Sequence, residues 1–397
     1  MAGARGRLRR LLGERAGSRA GGAGAAARSL AELARLGPAP LLPGGTDVNA
    51  AMSVAAVVPS FRRGSGGHRT LARLLEALRE RGHVVSAWLH DSEGRHAHEP
   101  PALTARAFAR FFDAPELELH TSFADWRGAD VVMATGWQTV SRMLLLPGCR
   151  ARAYLVQDHE PDFYGASAEA LWAAESYGLG LHCIAASPWL AQLLRERYRA
   201  SASHFDLAVD HDVYRPSDAS RREDLVVFYA RAVTPRRAVP LGLLALEELA
   251  RRRPEIELAL YGEDRELAAG FAHRNLGVLD DRALAALYGE ATVGMVLSLT
   301  NPSLGCLEMM ASGLPCVELA SEPMLACFGA AGPLQLAQPH PLALCEAIET
   351  LLEDRARRAD RARAGLAFVA ERTWERAAGQ VEAGLRTALA GDGGRAG

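Results

Sequence analysis

The chain contains no lysine, so all 45 of its basic residues are arginine. That absence excludes chemistry built on an essential lysine: a Schiff base, pyridoxal phosphate attachment or a Walker A phosphate loop. Anions must instead be held by arginine forks, backbone N–H groups or hydroxyls. The six cysteines, Cys149, Cys183, Cys306, Cys316, Cys327 and Cys345, show no C-x-x-C pair and no metal-ligand spacing. A reducing compartment without a disulfide framework or metal site is expected. No apolar run approaches the ~20 residues of a membrane-spanning helix. The formal charge is −2, so no global basic field marks a nucleic-acid partner. These absences together predict a soluble cytoplasmic protein that binds anions locally.

What is present is strand–helix alternation on a large scale. The 397 residues, 49% of them hydrophobic, are enough for two or three packed domains. Residues 1–45 form an Ala/Gly/Arg-rich basic extension without the apolar core of a signal peptide. Two readings fit it: a disordered or partly helical extension, or an arm touching anionic lipid at the inner face of a membrane. The folded part begins at MSVAAVVPS (52–60), followed by a glycine-rich turn and an amphipathic helix over 68–81. Strands at 84–89, 129–135, 151–157 and 181–187 follow, with helices from 137, over 166–177 and over 188–198. A polar stretch at 213–224 reads as a linker, and the alternation restarts with strands at 224–230, 255–262 and 292–299. Helices over 240–252 and 281–289 lie between them, and the tail from about 355 to 389 is helical. Such alternation predicts α/β architecture with two Rossmann-like, doubly wound parallel sheets, in domains 46–216 and 217–366.

The segment SLTNPSLGCLEMMASGLPCVEL (298–319) joins a turn, a helix start and one acid. Ser303 is the expected N-cap, and the N–H groups near Leu304 and Gly305 would face a phosphate beyond the strand end. Glu308 lies about one turn further in, too deep to cap but placed to accept from a neutral diol such as ribose. A plain strand–turn–helix of an α/β protein would share these residues. Glu308, Met310, Ala311, Gly313 and Pro315 resemble the later half of E-x-F-G-x-x-x-x-E-A-M-A-x-G-x-P, a segment of glycosyltransferase family 4, retaining sugar-nucleotide transferases of GT-B fold. Eight positions before Glu308 this chain has Thr300, where the family has a glutamate that holds the donor sugar. The resemblance implies two Rossmann-like domains facing across a cleft, with residues 367–397 crossing back to the first.

Further residues acquire roles through that resemblance. FYARAVTPRRA (228–238) ends a strand with Arg231 and places Arg236 five positions on, where the family has an arginine and a lysine on the leaving diphosphate. Arg237 rivals Arg236. Fixed cations there would stabilise a departing phosphate without a metal. SFRRGSGGHRT (60–70) sets Gly66 and Gly67 beside a phosphate or acceptor, or in a plain tight turn. The backbone at Gly277, Val278 and Leu279 would read the base edge, and Asp280 could cap the following helix. QDHEPDFY (157–164) resembles Q-D-x-E-P-x-F of bacterial rhamnosyltransferases that assemble surface glycans. Asp158 or Glu160 would orient an acceptor hydroxyl, or cap the next helix. DHD (210–212) formally matches a D-x-D metal motif, but AVDHDVYRP (208–216) is closer to the family's G-V-D segment, so no metal is expected.

The resemblance implies a metal-independent hexosyltransferase that retains configuration. The donor is a nucleotide sugar used as co-substrate, with dTDP-rhamnose favoured, and the acceptor is a saccharide or lipid-linked glycan. Two other readings fit the same residues: a catalytically silent glycan-binding or scaffold module of the same fold, and a sugar-nucleotide epimerase.

Overall fold

A computed structural model describes residues 26–43, 50–217 and 220–392. Residues 1–25 and 44–49, and with them most of the arm expected to touch lipid, lie outside the described residues. The described chain forms two compact units. The first runs to Ala185 and adds Leu193–Ser203 and the residues from Val381; the second comprises Ala186–Gln192 and His204–Gln380. The second unit therefore begins before the charged stretch 213–224.

The first unit is built on strands β1 (Ser53–Pro59), β2 (Val84–His90), β3 (Leu119–His120), β4 (Ala129–Ala134), β5 (Cys149–Val156), β6 (His182–Ala185) and β7 (Ser201–His204). Their order is β3-β2-β1-β4-β5-β6-β7. Pairing from β3 through β6 is parallel, with Val57 opposite Trp88 on one side and Ala134 on the other. The run Val54 to Val58 is buried on both faces, as a central parallel strand covered by helices must be. Ser65 precedes the helix Gly66–Glu80, which buries Leu71, Leu74, Leu75 and Leu78. This helix starts before His68, so Gly66 and Gly67 form its first turn instead of the loop ahead of it. The described part of the extension is partly helical. Residues 26–36 are helical, with Ala26 buried against Trp137 and Ala173. Beyond them Ala39 N donates to Leu144 O and Leu42 N to Cys149 O, both at 2.8 Å. Its later half thus belongs to the body of the first unit.

The second unit repeats the plan with β8 (Leu225–Tyr229), β9 (Glu257–Tyr261), β10 (Arg274–Asn275), β11 (Val293–Met295), β12 (Cys316–Leu319) and β13 (Gln335–Ala337). The order β10-β9-β8-β11-β12-β13 is parallel throughout. In both units the order reverses direction beside the first strand, between β1 and β4 and between β8 and β11, and such a switch point opens a crevice at the strands' carboxyl ends. The helix Val239–Arg252 lies so close to β8 that a Cβ on Gly242 would come within 2.2 Å of the Phe228 ring, so only glycine fits. Helices Pro101–Phe112, Glu322–Phe328 and Pro341–Glu353 were not apparent in the sequence pattern.

Arg221 closes two helix ends at once. Its guanidinium donates to Tyr288 O (2.7 Å) and Ala291 O (2.6 Å) at the end of the helix Asp281–Glu290, and to Ser312 O (2.7 Å) at the end of Leu304–Ala311. Orphaned helix carbonyls need such donors, and the planar fork serves both ends from one side chain. Arg221→Met keeps the stem but removes every donor. We expect it to destabilise the second unit by about 1–3 kcal/mol, read as a lower urea midpoint in circular dichroism; an unchanged midpoint would remove this role.

Candidate functional site

In the second unit the residues singled out from the sequence converge on the carboxyl ends of β8 and β11. Arg231 follows β8 and is 9% exposed. The turn Pro235–Arg237 then presents Arg236 and Arg237, both half-buried. Leu299 N donates to Arg236 O at 3.0 Å, which fastens that turn to the loop after β11. Arg237 donates to Ser298 Oγ and stands over the Tyr229 ring, 5.9 Å from its centroid. The rival arginine is thus engaged within the protein. Thr300 is buried, and its hydroxyl has no hydrogen-bond partner among the described residues. Next to it Asn301 is anchored: Ser187 Oγ donates to Asn301 Oδ1 at 2.5 Å, and Asn301 Nδ2 donates to Ala186 O at 3.1 Å.

Ser303 is the N-cap of the helix Leu304–Ala311, accepting from Gly305 N at 3.3 Å. Leu304 and Gly305 are half-buried in the first turn. Glu308 is buried a turn further along. Burial first, with the field of the Glu308 carboxylate among the further causes, holds the phenols of Tyr261 and Tyr288 well above their usual range. Their hydroxyls lie 2.8 Å apart. Gly277 has φ +67°, a left-handed backbone that favours glycine. Val278 N, expected at a base edge, donates to Asp264 Oδ1 at 2.9 Å, while Leu279 is half-buried beside it. Asp280 caps the next helix by accepting from Ala283 N at 2.9 Å. Sequence reasoning missed Glu318. It accepts from Ser298 N (2.8 Å) and Leu319 N (2.9 Å) beneath the same loop. Its only signal was an acid inside the apolar run CVEL.

In the first unit, β1 and β5 bring the glycine turn and the acidic segment together: Gln157 Nε2 donates to Gly67 O at 2.9 Å. His68 lies in the same turn, its Nδ1 2.8 Å from Ser65 Oγ, and burial pushes it down to about 4. Asp158 Oδ1 accepts from its neighbour His159 N at 2.9 Å. The ring of His159 is fixed by Asp162 and Tyr198, each at 2.7 Å. Glu160 accepts from Trp137 N at 2.7 Å, at the start of the helix Trp137–Leu144, and from the buried Tyr154 hydroxyl at 2.9 Å. It therefore caps a helix, though the one before it in sequence and not the next.

Losing the Glu160 carboxylate would orphan a buried phenol and a helix N–H. We expect Glu160→Ala to cost about 2–4 kcal/mol of stability, measured as a urea midpoint; a midpoint within error of the parent would show that these contacts carry no weight. Among the described residues no group of three or more His, Cys, Asp or Glu side chains could hold a metal ion. None of the described helices is long and apolar enough to cross a membrane.

Two solved structures share the fold. Sucrose-phosphate synthase from Thermosynechococcus elongatus superposes with a TM-score of 0.62 at 18% identity, over 85% of this chain and all (100%) of that one. Anabaena HepE, solved in complex with UDP and glucose, gives 0.63 at 15% identity over 85% and 100%. The fold is GT-B. In sequence, residues 224–348 match the family described as WsaF, C-terminal domain. The O-antigen biosynthesis protein RfbC of Myxococcus xanthus is 31% identical over 275 residues, 66% of this chain and 21% of that protein. The chain thus spans about a fifth of that relative's length. The matched family segment covers β8 to the helix after β13, and so includes Arg231, Arg236, Thr300, Ser303 and Glu308.

Proposed function

We propose that this GT-B chain is a glycosyltransferase of surface-glycan assembly. It moves a sugar from a nucleotide diphosphate to a saccharide or lipid-linked acceptor, with rhamnose from dTDP-rhamnose as the favoured donor. One observation carries the reading: Arg231, the Arg236 turn, the Ser303-capped helix start and Glu308 gather at the switch point of a single Rossmann-like sheet. A diphosphate suits that place, because the helix end and two arginines supply positive charge and backbone donors together. The likeness to an O-antigen biosynthesis protein and to a fold-mate solved with UDP and glucose supports the substrate class. The likeness of QDHEPDFY to rhamnosyltransferases favours the sugar.

In this reading Glu308 accepts from the ribose hydroxyls. Arg231 and Arg236 neutralise the β-phosphate as its bond to the sugar's anomeric carbon breaks. The acceptor oxygen bonds to that carbon on the same face, so configuration is retained, and its proton passes to the departing phosphate oxygen. Asp158 is the group of the first unit that this reading assigns to the acceptor hydroxyl, and its neighbour Gln157 donates to Gly67 O in the glycine turn.

Thr300 favours a second reading, because a hydroxyl replaces the acid that would hold the donor sugar: a silent glycan-binding or scaffold module. Calorimetric titration with dTDP, UDP and GDP separates the two. The enzyme reading expects binding, with dTDP preferred, and at least about tenfold weaker binding in Arg231→Ala and Glu308→Ala, as loss of charged hydrogen bonds implies. Affinity unchanged in both variants would sink the assignment, and nucleotide binding without transfer to any acceptor would support the silent module.

A further inference from the structure

The turn that carries Arg236 and Arg237 and the loop that carries Thr300 follow two neighbouring parallel strands, β8 and β11, and both are secured through a third, β12. The chain of bonds is short. Glu318, on β12, accepts from Ser298 N at 2.8 Å and from Leu319 N at 2.9 Å, both at Oε1. Ser298 in turn receives Arg237 at its hydroxyl, and Leu299 N donates to Arg236 O at 3.0 Å. At 0% exposure, Glu318 is the most deeply buried carboxyl among the described residues. Burying an acid is costly, and an apolar strand residue would serve the sheet better, so a carboxyl at this position calls for a task.

We propose that Glu318 is a positioning residue: it sets the 298–300 loop, the loop sets the Arg236–Arg237 turn, and the turn sets where the donor diphosphate is met. This rests on Arg236 being a diphosphate ligand, as argued above. Glu318 itself does not touch substrate.

The charge state of the latch gives it a signature. Burial pushes Glu318 up to about 8, against the opposing pull of the Leu319 and Ser298 amides and of Arg237. The groups that face it are Arg237 from the turn, Cys306 from the helix Leu304–Ala311 and Cys316 on its own strand; Glu308 lies further along that helix. Burial holds both thiols well above their usual range, so they stay neutral. At neutral pH Glu318 is therefore protonated, and Arg237 remains on Ser298. As pH rises through about 8 a carboxylate appears beside Arg237, competes for it and adds negative charge near a diphosphate site. Nucleotide affinity should then fall. Folding stability follows the same sign. The folded carboxyl holds its proton more tightly than the unfolded one, so its contribution is fully present below about 4.5 and is lost as pH rises through about 8.

Calorimetric titration of dTDP and UDP from pH 6 to 9 tests this on the full chain. Glu318→Gln keeps a neutral acceptor, so it should bind within about twofold of the parent at pH 7 and lose the parent's alkaline weakening. Glu318→Leu removes the acceptor. It should bind about tenfold more weakly at every pH, raise the donor KM more than it lowers kcat, and speed hydrogen exchange at the Ser298, Leu299 and Leu319 amides. An alkaline loss that persists in Glu318→Gln, or parent-like affinity in Glu318→Leu, overturns the latch. Should Glu318→Leu not fold, the pH profile of Glu318→Gln decides alone. A parent protein that binds neither nucleotide at any pH instead overturns the donor-site reading, and the positioning role with it; the two failures are told apart by the parent's own titration.

Discussion

The parallel pairing of β8 with β11 is the constraint on which the candidate site depends. Parallel strands align all their carboxyl ends on one edge, and the reversal of strand order between these two sends their connections to opposite faces of the sheet. The Arg236 turn leaves on one connection and the Ser303-capped helix on the other, so cations and helix N–H groups meet without either being specified by the other. Register does the fine placement. Gly294 lies opposite Val227 and Cys316, and a Cβ there would come within 2.5 Å of Met309 Sδ, so the helix bearing Glu308 is seated directly on β11. A larger residue at position 294 would collide with the Met309 and Leu314 side chains that fill this seam.

A chain without lysine must give every cationic task to arginine, and the structure shows how different those tasks are. Arg221 uses its fork to satisfy three carbonyls at two helix ends, a service that an ammonium performs less well because its donors are not coplanar. Arg237 bridges a hydroxyl and an aromatic face. Arg152 donates to Ala39 O and Leu146 O and so ties the described part of the extension to the first unit. Arg231 and Arg236 remain at the sheet edge. The same residue type therefore caps, bridges and anchors, and sequence composition alone cannot sort these uses.

The fold was legible because its signals are local. Buried runs such as SVAAVVP and LVVFY, each followed by a turn and an amphipathic helix, repeat often enough to identify two doubly wound sheets. Short edge strands such as Leu119–His120 and Arg274–Asn275 escaped because two residues carry no periodicity. The site was legible in part. Ser303 and Asp280 cap as their residue types imply, since capping depends on the next three residues only. Glu160 differs: its partners are Trp137 and Tyr154, from another helix and another strand, and no local pattern links them. Val278 N met Asp264 by the same kind of long-range contact. Contacts set by the sheet order are invisible until that order is known.

The acids of the second unit fit together once Thr300 and Glu318 are considered jointly. An ionised carboxylate at position 300 would sit beside the Arg236 turn and compete with a diphosphate for its charge. Here that position carries a hydroxyl, and the fully buried carboxyl of Glu318, which accepts from Ser298 N in the same loop, is held neutral by burial at neutral pH. Both changes act in one direction. In the proposed donor site both features would leave less negative charge beside the Arg236 turn than an acid at position 300 and an ionised Glu318 would, at the loss of a charged contact to the sugar. Binding energy in that proposed site would come from the phosphates and the ribose, and the sugar would be selected by shape and neutral hydrogen bonds. Selectivity among donors would then rest on the groups around Thr300, with the negative charge common to every nucleotide sugar supplying affinity without discrimination.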